Sequence, residues 1–528
     1  MTTFQSPHLG YDLIWPLLLV LGAACVGIVV EAFVPRAWRY VTQVLLTLTT
    51  LAVAFGGTIF VATGLDSRGH GAAHGAVVAE GSVAIDGPAV FAWGLLLIVA
   101  FFGVLLFAER HLDGGVSAFS GQAAVLPGTD AERRVGERGL EHTEVYPLLL
   151  FAVGGMLLFA AANDLLTLFV ALEVLSLPLY LLTGLARRRR LLSQEAAMKY
   201  FLLGAFSSGF LLYGIALVYG YAGTVRFGGI ADAIANTSGQ RGLLLAGIGL
   251  LSVGLLFKVG AVPFQAWTPD VYQGAPTPVT AFMAAGTKVA AFVAMLRLFS
   301  VAFGGERWTW LPMLWAIALL TMVIGAVLAV AQTDVKRMLA YSSIAHTGFV
   351  LTGILGTGAS LGDDQIGATQ AVLFYLVTYG LMTLGAFAVL TLVRDAAGES
   401  GELRGWAGLA RTSPVVAAVF SLFLLSLAGL PFTAGFTGKW VVFASAMSGG
   451  AWPVVVAAVL TSAMAAFFYI RVIVLMYFSE PVAGGPAVAV PSILTSATIA
   501  VTAVATVVLG VVPGPVLDLA AHAGDFIR

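Results

Sequence analysis

The sequence predicts an all-α polytopic membrane protein, and three observations support this fold class. Of the 528 residues, 59% are hydrophobic and only 10% are charged, whereas about a quarter of the residues in soluble domains are charged. The mean hydropathy is +0.97. Apolar runs of about 20 residues, the length that crosses a bilayer core, recur along the whole chain. This composition excludes an ordinary soluble enzyme, a disordered protein and a nucleic-acid-binding protein.

Fourteen apolar runs predict about fourteen transmembrane helices. Two runs are too long for one span, and each contains a proline, Pro263 or Pro431. Proline removes a backbone N–H and clashes with the preceding turn, and lipid cannot satisfy the backbone groups that are freed. We therefore expect two broken helices sheltered by protein. The runs cover residues 11–34, 41–62, 89–108, 145–162, 165–185, 196–222, 242–267, 277–301, 309–331, 336–356, 368–393, 412–447, 452–478 and 490–512.

The distribution of basic residues predicts the orientation of the chain. With the N-terminus outside, fifteen of the 26 Lys and Arg residues fall in inner loops and five in outer segments. Cytoplasmic loops carry such an excess. The run Arg187–Arg190 alone favours an inner end for the fifth helix, and its simplest interpretation is a topology anchor. Fourteen crossings then place both termini outside.

The two broken runs indicate an internal repeat. The segment "FKVGAVPFQAW" around Pro263 and the segment "SLAGLPFTAGF" around Pro431 share a small-x-Pro-Phe pattern. Each broken run is the fourth in a block of five, and an odd number of crossings inverts the next copy. Inverted repeats with discontinuous helices are typical of transporters. The predicted units are an N-terminal three-helix segment (1–144), the two repeats (145–301 and 309–478), and a C-terminal helix with its tail (490–528).

Ionisable residues near the middle of the apolar runs are the candidate functional residues. A charge at the bilayer centre costs about 2.5–3.5 kcal/mol on insertion scales, so such a residue indicates function by default. Glu173 and Lys258 form a natural acid–base pair, and Lys288 also lies at mid-depth. Lys439 follows the second break, where its side chain has the alternative of reaching the membrane surface.

Two further candidates have stronger structural alternatives. Lys199 lies close to the inner surface, where a lysine can simply extend to water. His346 is a candidate because histidine side chains ordinarily titrate near neutrality, but a lone histidine on an apolar helix face is usually a satisfied core residue. Arg297, Arg471 and Glu31 are expected to be structural, and arginine hardly releases its proton.

Other chemistry has little support in the sequence. The single cysteine, Cys25, cannot form an intrachain disulfide or a thiolate cluster. His70 and His74 are too few to predict a metal site, and no phosphate-binding loop occurs. We expect no metal and no redox cofactor in this chain.

Two motifs give the chain a family resemblance. The segments "FQAWTPDVYQGAPTPVTAFMAAGTKVAAF" (264–292) and "DVKRMLAYSSIAHTGF" (334–349), together with the buried charges, resemble the antiporter-like membrane subunits of respiratory complex I, the proton-translocating NADH-quinone oxidoreductase. Among these, the chain is most similar to subunit N. It reads "MAAGTK" where subunits L and M carry an "HAATM"-like stretch, and we expect no counterpart of the lateral helix of subunit L.

The resemblance implies a proton path and a set of partners. Its proton-translocating residues are Glu173, Lys258, Lys288, Lys439, His346 and Lys199. FMN, iron–sulfur clusters, NADH and quinone belong to partner subunits. The expected neighbours are another antiporter-like subunit and small membrane subunits in a bacterial plasma membrane. One departure is Gln265, which stands where some relatives have a histidine and cannot titrate.

Two alternative functions remain compatible with the sequence. A subunit of a multi-subunit sodium/proton antiporter would share this architecture. A structural membrane subunit that pumps nothing would hold the buried charges as static ion pairs.

Overall fold

The computed structural model describes residues 9–65, 69–70, 73–121, 129–130, 134, 141–236, 241–357, 366–395, 398–482 and 484–527, without the side chains of residues 69, 70, 73 and 113. Across these residues the chain is mainly helical. Eleven of the described helices are long and apolar enough to span a membrane. Each of the fourteen predicted runs overlaps a described helix, but eleven of the helices meet this criterion, so the number of fourteen crossings stays a prediction.

The helices follow one another through short connections. They are α1 (Tyr11–Phe33), α2 (Arg36–Leu65), α3 (Gly87–Phe107), α4 (Val145–Ala161), α5 (Leu165–Thr183), α6 (Arg190–Ala222), α7 (Phe227–Asn236), α8 (Arg241–Val259), α9 (Trp267–Gly274), α10 (Thr277–Arg297), α11 (Arg307–Val330), α12 (Val335–Ile354), α13 (Ala368–Leu390), α14 (Leu409–Thr412), α15 (Pro414–Ala428), α16 (Ala434–Ser448), α17 (Trp452–Phe478), α18 (Ile493–Val511) and α19 (Gly514–His522).

Two small antiparallel sheets mark opposite ends of the helix bundle. Strands β1 (Gly69–His70), β2 (Ala73–Val78) and β3 (Val83–Asp86) pair in that order at the end called face A here. Strands β4 (Val393–Asp395), β5 (Gly398–Glu399) and β6 (Ala487–Val488) pair in the order β5-β4-β6 at face B. Both sheets lie in loops between helices, so they cover the ends of the bundle.

The centre of the bundle consists of α10, α12 and α13. Every residue of α10 is buried, and nearly every residue of α12 and α13 is buried too. The peripheral helices instead expose large apolar side chains, among them Phe60, Phe206 and Leu460, which are 71%, 68% and 66% exposed. Extensive apolar surfaces of this kind mark membrane or subunit contacts. Such faces require apolar surroundings, as the interior of a lipid bilayer provides.

The first predicted break lies between α8 and α9. The backbone groups in and around it find partners inside the protein: Val262 N–H donates to Thr321 Oγ1 at 3.0 Å, and Trp267 Nε1 donates to the Phe257 carbonyl at 2.9 Å. Irregular backbone at membrane depth requires such internal partners. The structure therefore has the sheltered break that Pro263 predicted.

The second predicted break lies between α15 and α16. Gly429 ends α15 in the left-handed conformation with φ +90°, as glycine commonly does after a helix. The hydroxyl of Ser426 accepts a hydrogen bond from Gly435 N–H at 3.1 Å across the break. The first half-helices of the two breaks begin at opposite ends of the bundle, α8 at face A and α15 at face B.

A buried ion pair holds face A together. Arg297, at the end of α10, donates two hydrogen bonds to Asp86, at 2.8 Å and 2.6 Å, and both side chains are fully buried. Asp86 also caps α3 through Ala89 N–H and accepts from Ile527 N–H, each at 3.1 Å. One carboxylate thus joins α3, α10 and the C-terminal tail, and Arg297 has the structural role expected for it.

The other two residues expected to be structural also hold backbone or polar groups. Arg471 donates to the carbonyls of Val330, the last residue of α11, and Gln332, just beyond it, at 2.9 Å and 2.7 Å. Glu31 lies 3.5 Å from Arg39 and accepts from Gln43 at 2.7 Å.

Glu109 joins the end of α3 to the start of α18 at face B. It is 7% exposed and accepts hydrogen bonds from Ser492 N–H at 2.9 Å, Ser492 Oγ at 2.6 Å and Thr495 Oγ1 at 2.6 Å. Burial favours a higher pKa for this carboxyl group, but the hydrogen bonds from Ser492 and Thr495 outweigh burial and lower the pKa.

Replacing Asp86 with Asn should strongly destabilise the protein, because it leaves the Arg297 cation buried without its counter-ion. Breaking a buried pair on one side costs about 3–5 kcal/mol. Thermal unfolding in detergent and the amount of assembled protein would measure the loss. The double variant Asp86→Asn/Arg297→Met removes the orphaned charge and should recover part of the stability. A double variant as unstable as Asp86→Asn alone would contradict this account.

The Glu109 interaction should contribute stability at neutral pH and lose it in acid. Because the folded-state pKa lies below 4.5, the contribution is present above the unfolded-state pKa and disappears as the pH falls through the folded-state pKa. Glu109→Gln should lower the unfolding temperature at pH 7, at a cost of about 1–3 kcal/mol. The difference from wild type should shrink in acid; a difference that is constant with pH would contradict the prediction.

Candidate functional site

Five of the six residues predicted to be functional follow one another through the interior of the bundle. They come from different helices, and several of them are connected through a neighbouring side chain that forms hydrogen bonds on both sides. We call this set the buried charge row. Its members are Glu173 on α5, Lys258 on α8, Lys288 on α10, His346 on α12 and Lys439 on α16.

Lys258 lies in the last turn of α8, immediately before the first break, and is 3% exposed. Its ammonium group donates to Ser176 Oγ at 2.8 Å and to Tyr200 Oη at 3.3 Å. The Tyr200 ring centroid is 5.5 Å from Nζ. Both acceptors are side-chain hydroxyl groups on other helices, Ser176 on α5 and Tyr200 on α6.

Glu173 lies on α5, three residues before Ser176. It is half-buried, and its Oε1 atom is buried with no hydrogen-bond partner among the described residues. No ion pair within 4.0 Å joins it to Lys258 in the described part of the chain, although the two charges interact through space. The predicted acid–base pair is therefore a pair of neighbours without direct contact.

Lys288 lies inside α10 and is 3% exposed. Its ammonium group donates to the Ser343 carbonyl, to Ser343 Oγ at 2.6 Å and to Thr347 Oγ1 at 2.7 Å, and the Tyr379 ring centroid is 5.1 Å away. The Thr347 hydroxyl in turn donates to the Val259 carbonyl at 2.8 Å. Since Val259 directly follows Lys258, one hydroxyl links the surroundings of the two lysines.

His346 lies between Lys288 and Lys439 and is 2% exposed. Its Nδ1 atom lies 2.6 Å from Tyr375 Oη, and its Nε2 atom lies 3.4 Å from Tyr469 Oη. Both lysines act on this ring electrostatically, and the ring contacts the Leu427 backbone. The histidine thus has polar neighbours that the apolar sequence around it did not reveal.

Lys439 closes the row at the second break. It is 4% exposed and donates to the carbonyls of Leu427 and Ala428, at 3.0 Å and 2.9 Å, and to Ser462 Oγ at 2.8 Å. The Phe349 ring centroid lies 4.9 Å from Nζ. The side chain caps the last carbonyls of α15 and does not extend to the surface, the alternative considered from the sequence.

The three lysines of the row share an unusual electrostatic setting. Their acceptors are hydroxyl and backbone carbonyl oxygens, all of them uncharged. Among the described residues, no carboxylate lies within 4.0 Å of any of these three ammonium groups. A buried ammonium without a bound anion has protonated and neutral forms closer in energy than an ion-paired one. The arrangement suits reversible protonation.

Lys199, the sixth predicted residue, lies outside the row. Its side chain is 42% exposed and forms ion pairs with Glu195 at 2.7 Å and with Asp270 at 2.8 Å. It neither contacts Lys258 nor extends freely into solvent. The next residue in the sequence, Tyr200, does contact the row, because its hydroxyl accepts a hydrogen bond from Lys258.

Sequence reasoning missed two carboxylates near face B. Asp270 binds Arg337 at 2.6 Å in addition to Lys199. Glu399 accepts a hydrogen bond from Thr277 and lies 3.8 Å from Lys336. Asp270 lies within the quoted motif "TPDVYQ", so the motif itself was the available signal.

Sequence reasoning also missed the hydroxyl groups that surround the row. Buried tyrosines require a polar partner for the hydroxyl, and a tyrosine in an apolar run near a lysine was the available signal. The residues are Tyr200, Tyr272, Tyr375, Tyr379 and Tyr469, each at most 1% exposed.

The described residues contain no group of three or more His, Cys, Asp or Glu side chains placed to hold a metal ion. The side chain of His70 lies outside the described residues. The expectation that flavin and iron–sulfur clusters belong to partner subunits stays a prediction.

Comparison with known proteins places this arrangement in a family. The family described as "NADH:quinone oxidoreductase/Mrp antiporter, TM" matches residues 162–465. An NADH-quinone oxidoreductase subunit N of Nocardioides sp. is 66% identical, and the match covers 99% of this chain and 100% of that protein. The chain belongs to the family of NADH-quinone oxidoreductase N subunits.

Solved structures support the family at the level of the fold. A chain of respiratory complex I from Thermus thermophilus with bound aureothin is 34% identical, with a TM-score of 0.74, over 97% of this chain and 100% of that one. A chain of the Mrp complex from Dietzia sp. has a TM-score of 0.78 over 98% of this chain and 97% of that chain, but only 20% identity. The latter likeness concerns the antiporter-like fold alone.

Thr347→Val should disturb the link between Lys258 and Lys288. It removes the hydroxyl that accepts from Lys288 and donates to the Val259 carbonyl, and a buried polar group left unsatisfied costs about 1–3 kcal/mol. Proton pumping by the assembled complex should fall. Thr352→Val is the matched control: Thr352 is a buried threonine of the same helix whose hydroxyl donates to the Gly348 carbonyl of its own helix. Equal effects of the two substitutions would contradict a specific role for Thr347.

Proposed function

We propose that this chain carries protons across the membrane along the buried charge row, as the N subunit of an NADH-quinone oxidoreductase. The observation that carries the proposal is the setting of Lys258, Lys288 and Lys439. Each lies on a different helix, is deeply buried and, within the described part of the chain, donates hydrogen bonds only to neutral oxygens. A hydrophobic span would be more stable without such groups, so their presence favours a function that uses their charge.

The mechanism follows from repulsion between like charges in a medium of low dielectric constant. A proton bound by one lysine raises the cost of keeping a proton on the next. The negative charge of Glu173 lowers the cost of keeping a proton on Lys258. A change in the separation of the two side chains would therefore protonate or deprotonate Lys258. Protons would then move past Lys288 and His346 to Lys439, with the hydroxyls and tyrosines as intermediate donors and acceptors. Each transfer protonates one group and deprotonates its neighbour, so charge balances at every step.

The direction of transport requires two half-pathways that open to opposite sides. We propose that residues 145–301 and 309–478 are inverted repeats, because α8 and α15 enter the bundle from opposite faces and both end at a glycine with positive φ, Gly260 or Gly429. We propose that face A is outside, together with both termini, since face B carries the run Arg187–Arg190.

The energy for pumping would come from partner subunits. In the proposed complex, NADH oxidation and quinone reduction take place on flavin, iron–sulfur clusters and quinone outside this chain. The apolar outer faces of α6 and α17 are the surfaces available to lipid, to another antiporter-like subunit and to the small membrane subunits. Leu202 and Phe206 on α6, and Leu460 and Phe467 on α17, are each more than half exposed.

Lys258→Ala and Glu173→Ala should leave the complex assembled and impair its proton pumping. Removing Lys258 deletes a proton-binding site, and removing Glu173 deletes the charge that stabilises its protonated form. Pumping is measured by fluorescence quenching in inverted membrane vesicles, with NADH oxidation recorded in parallel. Arg241→Gln is a control at face A, where Arg241 is largely exposed and pairs with Glu306. Normal pumping by an assembled Lys258→Ala complex would favour the non-pumping structural subunit.

A further inference from the structure

The half-helix α9 contacts the hydrogen-bond acceptors of two different lysines. The Trp267 ring is stacked on the Tyr200 ring, with centroids 4.6 Å apart and planes 4° apart, and Tyr200 is an acceptor for Lys258. Five residues further on, the side chain of Tyr272 lies beside Ser343, which accepts hydrogen bonds from Lys288. The position of α9 therefore bears on both lysines at once.

Charged side chains from other helices hold α9 in place along its length, from Asp270 in its first turn to Ala275 just beyond its last residue. Asp270 binds Lys199 of α6 at 2.8 Å and Arg337 of α12 at 2.6 Å. The same guanidinium donates to Gln273 Oε1 at 3.0 Å. Lys336 donates to the carbonyl of Ala275, just beyond the end of α9, at 2.6 Å. Asp270 is the one carboxylate of this half-helix and binds two cations from two different helices.

The backbone leaves the placement of α9 to these contacts. The half-helix has eight residues. It is separated from α8 by the break at 260–266, which begins with Gly260 at φ +73°, and from α10 by the turn at Ala275 and Pro276. A helical segment interrupted at both ends is not fixed by hydrogen bonds that continue from its neighbours. Its side-chain contacts decide where it sits.

We propose that Asp270 is a positioning residue for proton transfer. It holds α9 to Lys199 and Arg337, and thereby keeps Tyr200 beside Lys258 and Tyr272 beside Ser343, an acceptor of Lys288. Lys199 acts through Asp270 as an anchor and does not itself transfer a proton. The proposal rests on the proton path proposed above, since positioning matters only if protons pass these lysines.

The two cation contacts of Asp270 are partly exposed, which favours a geometric role over a role in stability. Lys199, Asp270 and Arg337 have side-chain exposures of 42%, 29% and 30%. Ion pairs of this kind contribute little to stability. Their loss should leave the fold intact and shift a short segment, and small displacements near reacting groups reduce rates strongly.

The test uses the whole complex in inverted membrane vesicles, with assembly checked on native gels. Asp270→Asn should reduce proton pumping roughly three- to tenfold, and Asp270→Glu should restore most of it, because the longer side chain keeps the charge. Glu195→Gln is the matched control: Glu195 is the other acid that binds Lys199, but it lies on α6 and does not hold α9. Its pumping should match wild type.

Substitutions at Lys199 separate an anchor from a proton carrier. Lys199→Arg keeps the ion pair but cannot release its proton, so pumping should stay near wild type, whereas Lys199→Ala should reduce it. In the double variant Lys199→Ala/Asp270→Asn, the loss should equal that of Asp270→Asn alone. The Lys199→Arg result decides the question even if Asp270→Asn does not assemble.

Three results would overturn the inference: pumping by Lys199→Arg as low as that of Lys199→Ala, additive losses in the double variant, or equal losses in Asp270→Asn and Glu195→Gln. These results are distinct from a failure of the proposed proton path. That failure would be recognised by normal pumping in Lys258→Ala, whatever the Asp270 variants do.

Discussion

The structure depends on keeping three ammonium groups inside an apolar helix bundle on neutral oxygen atoms. Ser176 and Tyr200 accept the hydrogen bonds of Lys258 that water would otherwise accept. Ser462 and two backbone carbonyls do the same for Lys439. Neutral acceptors satisfy the donors without fixing the charge, whereas a bound carboxylate would hold each proton in place. This condition explains why α10, α12 and α13, which surround Lys288, form the most deeply buried part of the bundle.

The broken helices supply part of this solvation. The interior carbonyls of an intact helix already accept hydrogen bonds from their own helix, whereas the last carbonyls before a break have no such partner. At the second break the carbonyls of Leu427 and Ala428 face Lys439, and at the first break the Val259 carbonyl accepts from Thr347 beside Lys288. The breaks that proline introduces thus place free backbone dipoles where the buried cations need them. The same helix breaks therefore shape the fold and supply the hydrogen-bond acceptors that the proposed function requires.

Much of the fold and part of the site could be predicted from the sequence. Apolar run length gave the helices, and Pro263 and Pro431 gave the breaks. A lysine in an apolar run is visible as an exception, so Lys258, Lys288 and Lys439 stood out. Tyr272 and Asp270 could not be recognised in this way, because a buried tyrosine is common in membrane helices and an acid near a helix end usually contacts water. Their importance comes from contacts with residues far away in sequence, which no local pattern encodes.

The sequence by itself determined which segments are helical, where two of them break and which charges have to be buried, because these follow from hydrophobicity and backbone chemistry read locally. The tertiary structure decided the partners: Thr347 between Lys258 and Lys288, no direct contact between Glu173 and Lys258, and Lys199 on Asp270 instead of in the row. Partner choice depends on how helices pack against one another. Packing is a property of the whole bundle, so it can be found only in three dimensions.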